Sequence, residues 1–477
     1  MGSTFGGLEI GKRAILAQQA ALNTTGHNIA NANTIGYTRQ DAVMKAANPY
    51  AYPGMNNSTA PQSIGTGVEV SELRRIRDHF LDGQYRIAQQ AAGYWDAKAK
   101  ALTSIEGLFN EPSDSGLSMM LDRFWGSFQE LAKNPDSLAF RTVVAANGKA
   151  VADSIQAISR GITQIETDLT KDVSLKEAEI NTSIKEVADL NKQIALLTAT
   201  GQQPNDLLDK RDLLIDNLSK LVSVQTAPGQ NGMVVLKVGG VEIVNSTTTS
   251  TFSVNPQTGE TMVGGTAVTL DGGEIKGALD ILNGTEASSI PSLRRNLDLL
   301  AGAIASQMNS LQTSDDARNL DDIAAQTQVE KVLFFVDKDD PTQPPRDAAN
   351  MMVNPKIFAS PGTIAAAKSD FAGDGSNAKA MADLQFQKID INGSQTTIGD
   401  FYRSIVGQLG LDVNGAIQAS DSTAAVAQQV DNRRLSISGV SLDEEMTNMV
   451  RFQQAYNAAA KYVSAVNDML DKLINGL

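Results

Sequence analysis

Residues 442–474 read LDEEMTNMVRFQQAYNAAAKYVSAVNDMLDKLI. Leu442, Met446, Met449, Phe452, Tyr456, Ala459, Val463, Val466, Leu470, Leu473 and Leu477 advance in steps of three and four, the spacing of one helix face. Ser441 followed by Glu444 reads as a capping box, in which each side chain meets a free N–H of the first turn. One helix from 441 to 474 would span roughly 50 Å at about 1.5 Å per residue. Its apolar stripe is too narrow for a helix buried all round, so it needs a partner.

The other chain end supplies a candidate. Leu8, Ile15, Leu22 and Ile29 recur every seventh position, with a small-residue stripe of Ala14, Ala17 and Ala21 between them. That is a helix built to pack lengthwise on another helix. It stops where Asn28, Asn31, Asn33 and Gly36 crowd together, residues that favour turns and left-handed backbone. The Asn48–Pro61 stretch is a Pro/Asn/Gly/Ser-rich linker, and Val68 and Val70 alternate as in a short strand.

Between the ends the pattern changes twice. Helical spacing covers about 80–110, then a helix with Leu121, Phe124, Trp125, Phe128 and Leu131, then the longest helical region, about 141–221. Val, Thr, Ser and Gly dominate 222–270, with alternation over Val234–Val244 and turns at Pro228-Gly229, Gly239-Gly240 and Thr258-Gly259, which predicts a small antiparallel β unit. Helix returns over 277–311, interrupted near Pro291, and again from about Thr423. The fold expected is mainly α with a β insert (α+β), in a discontinuous multidomain chain. Residues 1–66 and 431–477 pair as an inner coiled-coil-like core domain. Residues 67–221 and 273–430 make a helical bundle with a mixed α/β excursion at about 331–420, and 222–272 form a small antiparallel β outer domain, far from the pole where the termini meet.

Composition removes most chemistry. The 477 residues carry 40 basic and 54 acidic side chains, a net charge of −14, which disfavours nucleic acid and anionic membrane surfaces. There is no cysteine and only two histidines, His27 and His79, so thiol nucleophiles, disulfides and thiolate metal sites are excluded. No catalytic residue, cofactor or metal is expected, and the chain reads as a non-enzyme. Gly373-x-Gly375-x-x-Ala378 lacks the preceding strand of a dinucleotide fingerprint. Asp337, Asp339 and Asp340 run into Pro341 rather than a calcium loop. Asp209-Lys210-Arg211-Asp212 reads as the solvated face of a helix. Neither a signal peptide nor an apolar run of about 18 residues is found, so no membrane insertion is expected.

Asn28-Ile29-Ala30-Asn31-Ala32-Asn33-Thr34-Ile35-Gly36-Tyr37, followed by Thr38-Arg39-Gln40, resembles the N-terminal signature of the bacterial flagellar axial proteins of rod, hook and hook-associated type. Ser438 to Glu445 and Arg451-Phe452-Gln453-Gln454-Ala455-Tyr456 are similar to the same family's C-terminus. Interior motifs, among them Phe80 to Arg86, Leu108 to Leu117, Asn134 to Leu138 and Leu207 to Asp212, look like the hook–filament junction members in particular. The usual Pro before Gly-Tyr is Ile35 here.

The resemblance implies a structural flagellar component with signature-turn residues Asn31, Asn33, Gly36, Tyr37, Arg39 and Gln40. It implies a homo-oligomeric helical layer, with hook protein below and a second junction protein, hook-associated protein 3, above. It also implies an export chaperone on the C-terminal helix and passage through the flagellar type III export apparatus to the cell exterior. The assembly interface expected is Leu8, Ile15, Leu22 and Ile29 with Leu442, Met446, Met449, Phe452, Tyr456, Val463, Val466, Leu470 and Leu473. A distal rod or hook protein, or a secreted coiled-coil adhesin, are the rival readings.

Overall fold

The computed structural model describes residues 6–48, 65–326 and 330–476. Most of the Asn48–Pro61 linker, and Leu477 of the C-terminal stripe, lie outside them. Helix α1, Gly6–Ala30, is followed by the antiparallel strands β1, Gln40–Ala46, and β2, Val68–Arg75, paired from Gln40 opposite Arg75 to Ala46 opposite Val68. The sequence pattern shows β2 but not β1, whose polar Gln40-Asp41 start and bulge at Val43/Met44 blur the alternation.

The bundle follows. Helices α2, His79–Phe109, α3, Leu117–Lys133, α4, Leu138–Ala199, and α5, Asn205–Leu221, are in sequence. The Asp78 carboxylate caps α2 by accepting from the Phe80 N–H at 2.9 Å. Helix α4 has 62 residues, about 90 Å at about 1.5 Å per residue. Its buried row includes Ile155, Ile162, Val173, Ile180, Ile184, Val187 and Ile194.

Two small antiparallel sheets then interrupt the helices: four strands spanning 224–249 and three spanning 252–268. They lie against α4, where the Asn191 amide donates to the carbonyls of Val234 (2.8 Å) and Ser246 (2.7 Å). The insert also meets α5, where the Arg211 guanidinium donates to the Gly232 carbonyl at 2.7 Å.

Helices α6, Glu274–Asn283, and α7, Ile290–Gln312, return to the bundle. The break falls before Pro291 rather than at it: Pro291 sits in the first turn of α7, where its missing N–H costs nothing. Short elements fill 320–396: α8, Leu320–Ala325, α9, Pro355–Ala359, α10, Ser376–Asp383, and two two-stranded hairpins. They close the core with Phe334 and Phe335 against Phe124 and Phe128.

Helix α11, Ile398–Ser438, runs back along α2, from Tyr402 near Phe109 to Arg434 over the Tyr85 ring. It starts 25 residues before the helix expected near Thr423. Gly399, Gly407, Gly410 and Gly415 depress helix propensity there, but Ile398, Tyr402, Ile405, Leu409, Val413 and Ala416 are buried. Its last residue returns the chain to the foot of α2, where α12, Leu442–Asn475, begins and packs along α1. The fold is mainly α with an antiparallel β insert.

Candidate assembly site at the paired chain ends

The face of α1 that is fully buried is its small-residue row, Gly11, Ala17, Ala21, Thr24, Thr25 and Asn28. Small side chains let the helices approach closely: a Cβ on Gly11 would stand 2.5 Å from a Val463 methyl. The large seam residues Leu8, Ile15, Leu22 and Ile29 are only half-buried. On α12, Val466 is buried, and Met449, Phe452, Tyr456, Val463 and Leu470 are half-buried. Leu442 and Met446 are 50% and 60% exposed and do not join the intrachain pair. The Leu473 side chain lies outside the described residues. Val450 and Met469, off the predicted row, are 56% and 62% exposed. The pairing thus consumes the small residues and leaves much of the large apolar surface open.

The turn after α1 is tied at both ends. Asn28, 1% exposed, uses its whole amide: Nδ2 donates to the Gln40 carbonyl at 2.9 Å and to Glu445 at 3.1 Å, while Oδ1 accepts from the Gln40 N–H at 3.0 Å and the Tyr37 hydroxyl at 2.8 Å. His27 Nδ1 lies 3.0 Å from the same hydroxyl. Burial, then the nearby carboxylates of Asp206, Asp209 and Glu445, push the Tyr37 phenol well above its ordinary pKa. Arg39 donates to Glu445 at 2.8 Å and Glu444 at 2.7 Å. Of the expected capping box, the Ser441 hydroxyl accepts the Glu444 N–H at 3.5 Å, and the Glu444 carboxylate serves Arg39. Asn31 donates to the His27 carbonyl, whereas Asn33 is exposed.

The same turn docks on α5. Gly36 has φ +81° and a Cβ there would meet Leu213 at 3.1 Å, so both its backbone and its space favour glycine. The Gln40 side chain donates to Asp206 and accepts from Asn205, each at 3.1 Å. The Thr38 N–H donates to Asp209 at 2.9 Å.

Both ends and the interior have known counterparts. Residues 8–38 match the family model for flagella basal body rod protein, and 432–476 match the flagellar basal body rod FlgEFG protein C-terminal model. Residues 102–320 match the flagellar hook-associated protein FlgK helical domain. The flagellar hook-associated protein 1 of Bacillus subtilis is 36% identical over 510 aligned positions, covering 100% of this chain and 99% of that protein. The chain belongs to the flagellar hook-associated protein 1 family. The Escherichia coli member is 27% identical over 96% of this chain and 97% of its own. The flagellar hook junction protein FlgK of Burkholderia pseudomallei has a similar fold, with a TM-score of 0.61 over 74% of this chain and 100% of that one at 14% identity.

In this hook-associated protein 1 family member, the Leu207–Asp212 motif has a role that its sequence hides. Asp209, Arg211 and Asp212 are 5%, 7% and 8% exposed, so they are not a solvated face. Lys210 alone points outward. The partners of the two aspartates, Arg75 and Arg77, lie more than 130 residues earlier in the chain, and no local pattern could announce them. Two other motifs are structural. Gly375 opens α10, where a Cβ would stand 2.1 Å from the Ala132 carbonyl. Asp337 accepts from the backbone of Asp339 and Arg346.

Proposed function

We propose that the chain forms the junction layer joining hook to filament, and that its terminal helices complete their packing only on assembly. The observation that carries this reading is the division of labour at the chain ends. Small residues of α1 pack on Val463 and Val466 of α12, while Leu442, Met446, Val450 and Met469 stay exposed. Each large side chain fully buried on docking contributes roughly 1.5–3 kcal/mol, added to what the α1–α12 contact already buries. In this reading copies pack side by side in a helical layer with hook protein below, and hook-associated protein 3 and then flagellin are templated above. An export chaperone covers α12 beforehand, and the flagellar type III apparatus carries the chain to the cell exterior. The division into an inner pair (1–66 and 431–477), a bundle (67–221 and 273–430) and a β insert (222–272) is part of the same proposal.

The test is to mix the full chain with isolated hooks and map protease cleavage. Stronger protection of residues 6–47 and 431–476 when hooks are present is the expected result. Unchanged cleavage without co-sedimentation overturns the proposal.

A further inference from the structure

The apolar core ends at the joint between the terminal pair and the bundle. Its continuous cluster runs from Ala99 to Ala416, and among the described residues it contains none from α1, β1, β2 or α12. Besides the Gly36 contact with Leu213 and the hydrogen bonds of Gln40 to α5, what crosses the joint is charge. Arg75 on β2 donates to Asp209 at 2.8 Å and to Asp212 at 2.9 Å, both on α5. Arg77, in the link to α2, pairs with Asp82 at 2.6 Å and with Asp212 at 3.1 Å. Deeper in the bundle, Arg86 of α2 and Arg434 of α11 share Asp216. These side chains are between 4% and 17% exposed.

We propose that this hub is a charge-locked hinge: it fixes the angle between the terminal helix pair and the bundle while Asp209 and Asp212 are ionised, and frees it when they are neutralised. The reason is the asymmetry of buried ion pairs. A complete network contributes little over an apolar contact, but removing one partner strands a charge away from water. An apolar joint would loosen gradually as it slides. An ionic joint with fixed hydrogen-bond directions is either made or broken.

The surroundings hold only a few other charges. Arg211 of α5 faces Asp212 at 3.9 Å and is otherwise tied to Asn191 and Gly232. From α2, Arg86 faces Asp212 at 3.9 Å, and the exposed His79 lies 3.6 Å from Asp82. From α11, Asp431 pairs with Arg434 at 2.9 Å, and Tyr85 of α2 lies beneath that guanidinium. On the terminal side, Asp209 also holds the Thr38 N–H and faces the Tyr37 phenol, which Asp206 and Glu445 face as well. Burial works to raise the Asp212 pKa, but Arg77, Arg75 and Arg211 together hold it below the ordinary 3.8. The stability it contributes is therefore present above pH 3.8 and is lost as pH falls through the lower folded value.

The chain has no cysteine, so Gln19→Cys on α1 with Lys185→Cys on α4, both exposed positions, accept two spin labels without background. Electron–electron distance measurement on the full chain at pH 7 is expected to give one narrow peak. Adding Asp209→Asn and Asp212→Asn should abolish that single peak while the tryptophan emission, from Trp95 of α2 and Trp125 of α3, stays unchanged. An unchanged narrow peak overturns the hinge. If the variant unfolds the bundle as well, the parent chain is titrated toward pH 3. Loss of the narrow peak at a higher pH than the tryptophan-emission transition supports the hinge, and a single coincident transition overturns it.

Discussion

Asn28 and Glu445 lie 417 residues apart in the chain and 3.1 Å apart in space, the amide of one donating to the carboxylate of the other. Asn28 ends α1 and Glu445 begins α12, so this bond fixes the register of the two chain ends. Asn28→Asp removes both donors and sets a second carboxylate against Glu445, itself 2% exposed. The expected cost is about 2–3 kcal/mol, localised to the terminal pair. Hydrogen exchange should show faster amides in α1 and α12 with the bundle unchanged. Wild-type protection at both ends would refute the register role.

Glycines in α1 should divide sharply by position. Gly11 faces Val463 and Tyr462, whereas nothing stands within 4 Å of a Cβ on Gly26. Gly11→Leu should force the helices apart at a cost of about 1–3 kcal/mol. Gly26→Ala should stabilise the helix by about 0.5–1 kcal/mol, because alanine loses less backbone freedom. Exchange rates along α1 check both, and equal effects would mean that close approach does not govern the pairing.

Tyr37 predicts an alkaline limit. Burial and neighbouring carboxylates raise its phenol above the ordinary 10.0. The neutral form is the one the fold favours, so its contribution is complete below pH 10 and is lost as pH rises through the folded value. Tyr37→Phe should cost about 0.5–1.5 kcal/mol at pH 8 through the lost bond to Asn28. That advantage of wild type should shrink by pH 11. Tyr94 and Tyr402 are also shifted upward, so the wild-type-minus-variant difference is the quantity to measure. A difference that stays constant from pH 8 to 11 would exclude Tyr37 as the group responsible.

Periodicity made the long helices legible. The α12 row and the α4 row repeat over many turns. What stayed hidden depends on partners distant in sequence. Asp209 and Asp212 look like any charged pair on a helix surface until Arg75 and Arg77 arrive from the β2 side. The start of α11 was masked by four glycines, although its apolar steps were in plain view. At the paired chain ends the period marks α1 as a packing helix but favours its large residues. Close helix contact selects the small row instead, and the seventh-position seam is left half-buried.

That division yields the most discriminating prediction about assembly. Met446 and Val450, one turn apart on α12, are 60% and 56% exposed and contribute little to the isolated chain. Met446→Asp and Val450→Asp should each leave the melting free energy within about 0.5 kcal/mol of wild type, yet abolish co-sedimentation with hooks. Leu22→Asp and Leu470→Asp strike half-buried positions, so they should abolish docking and also loosen the terminal pair, with the bundle intact. Val466→Asp, at an 8% exposed position, should disorder the pair outright. Paired melting and sedimentation on all five separates the two roles of the terminal helices. Docking by Met446→Asp and Val450→Asp at wild-type levels would show that the exposed face of α12 is not the assembly surface.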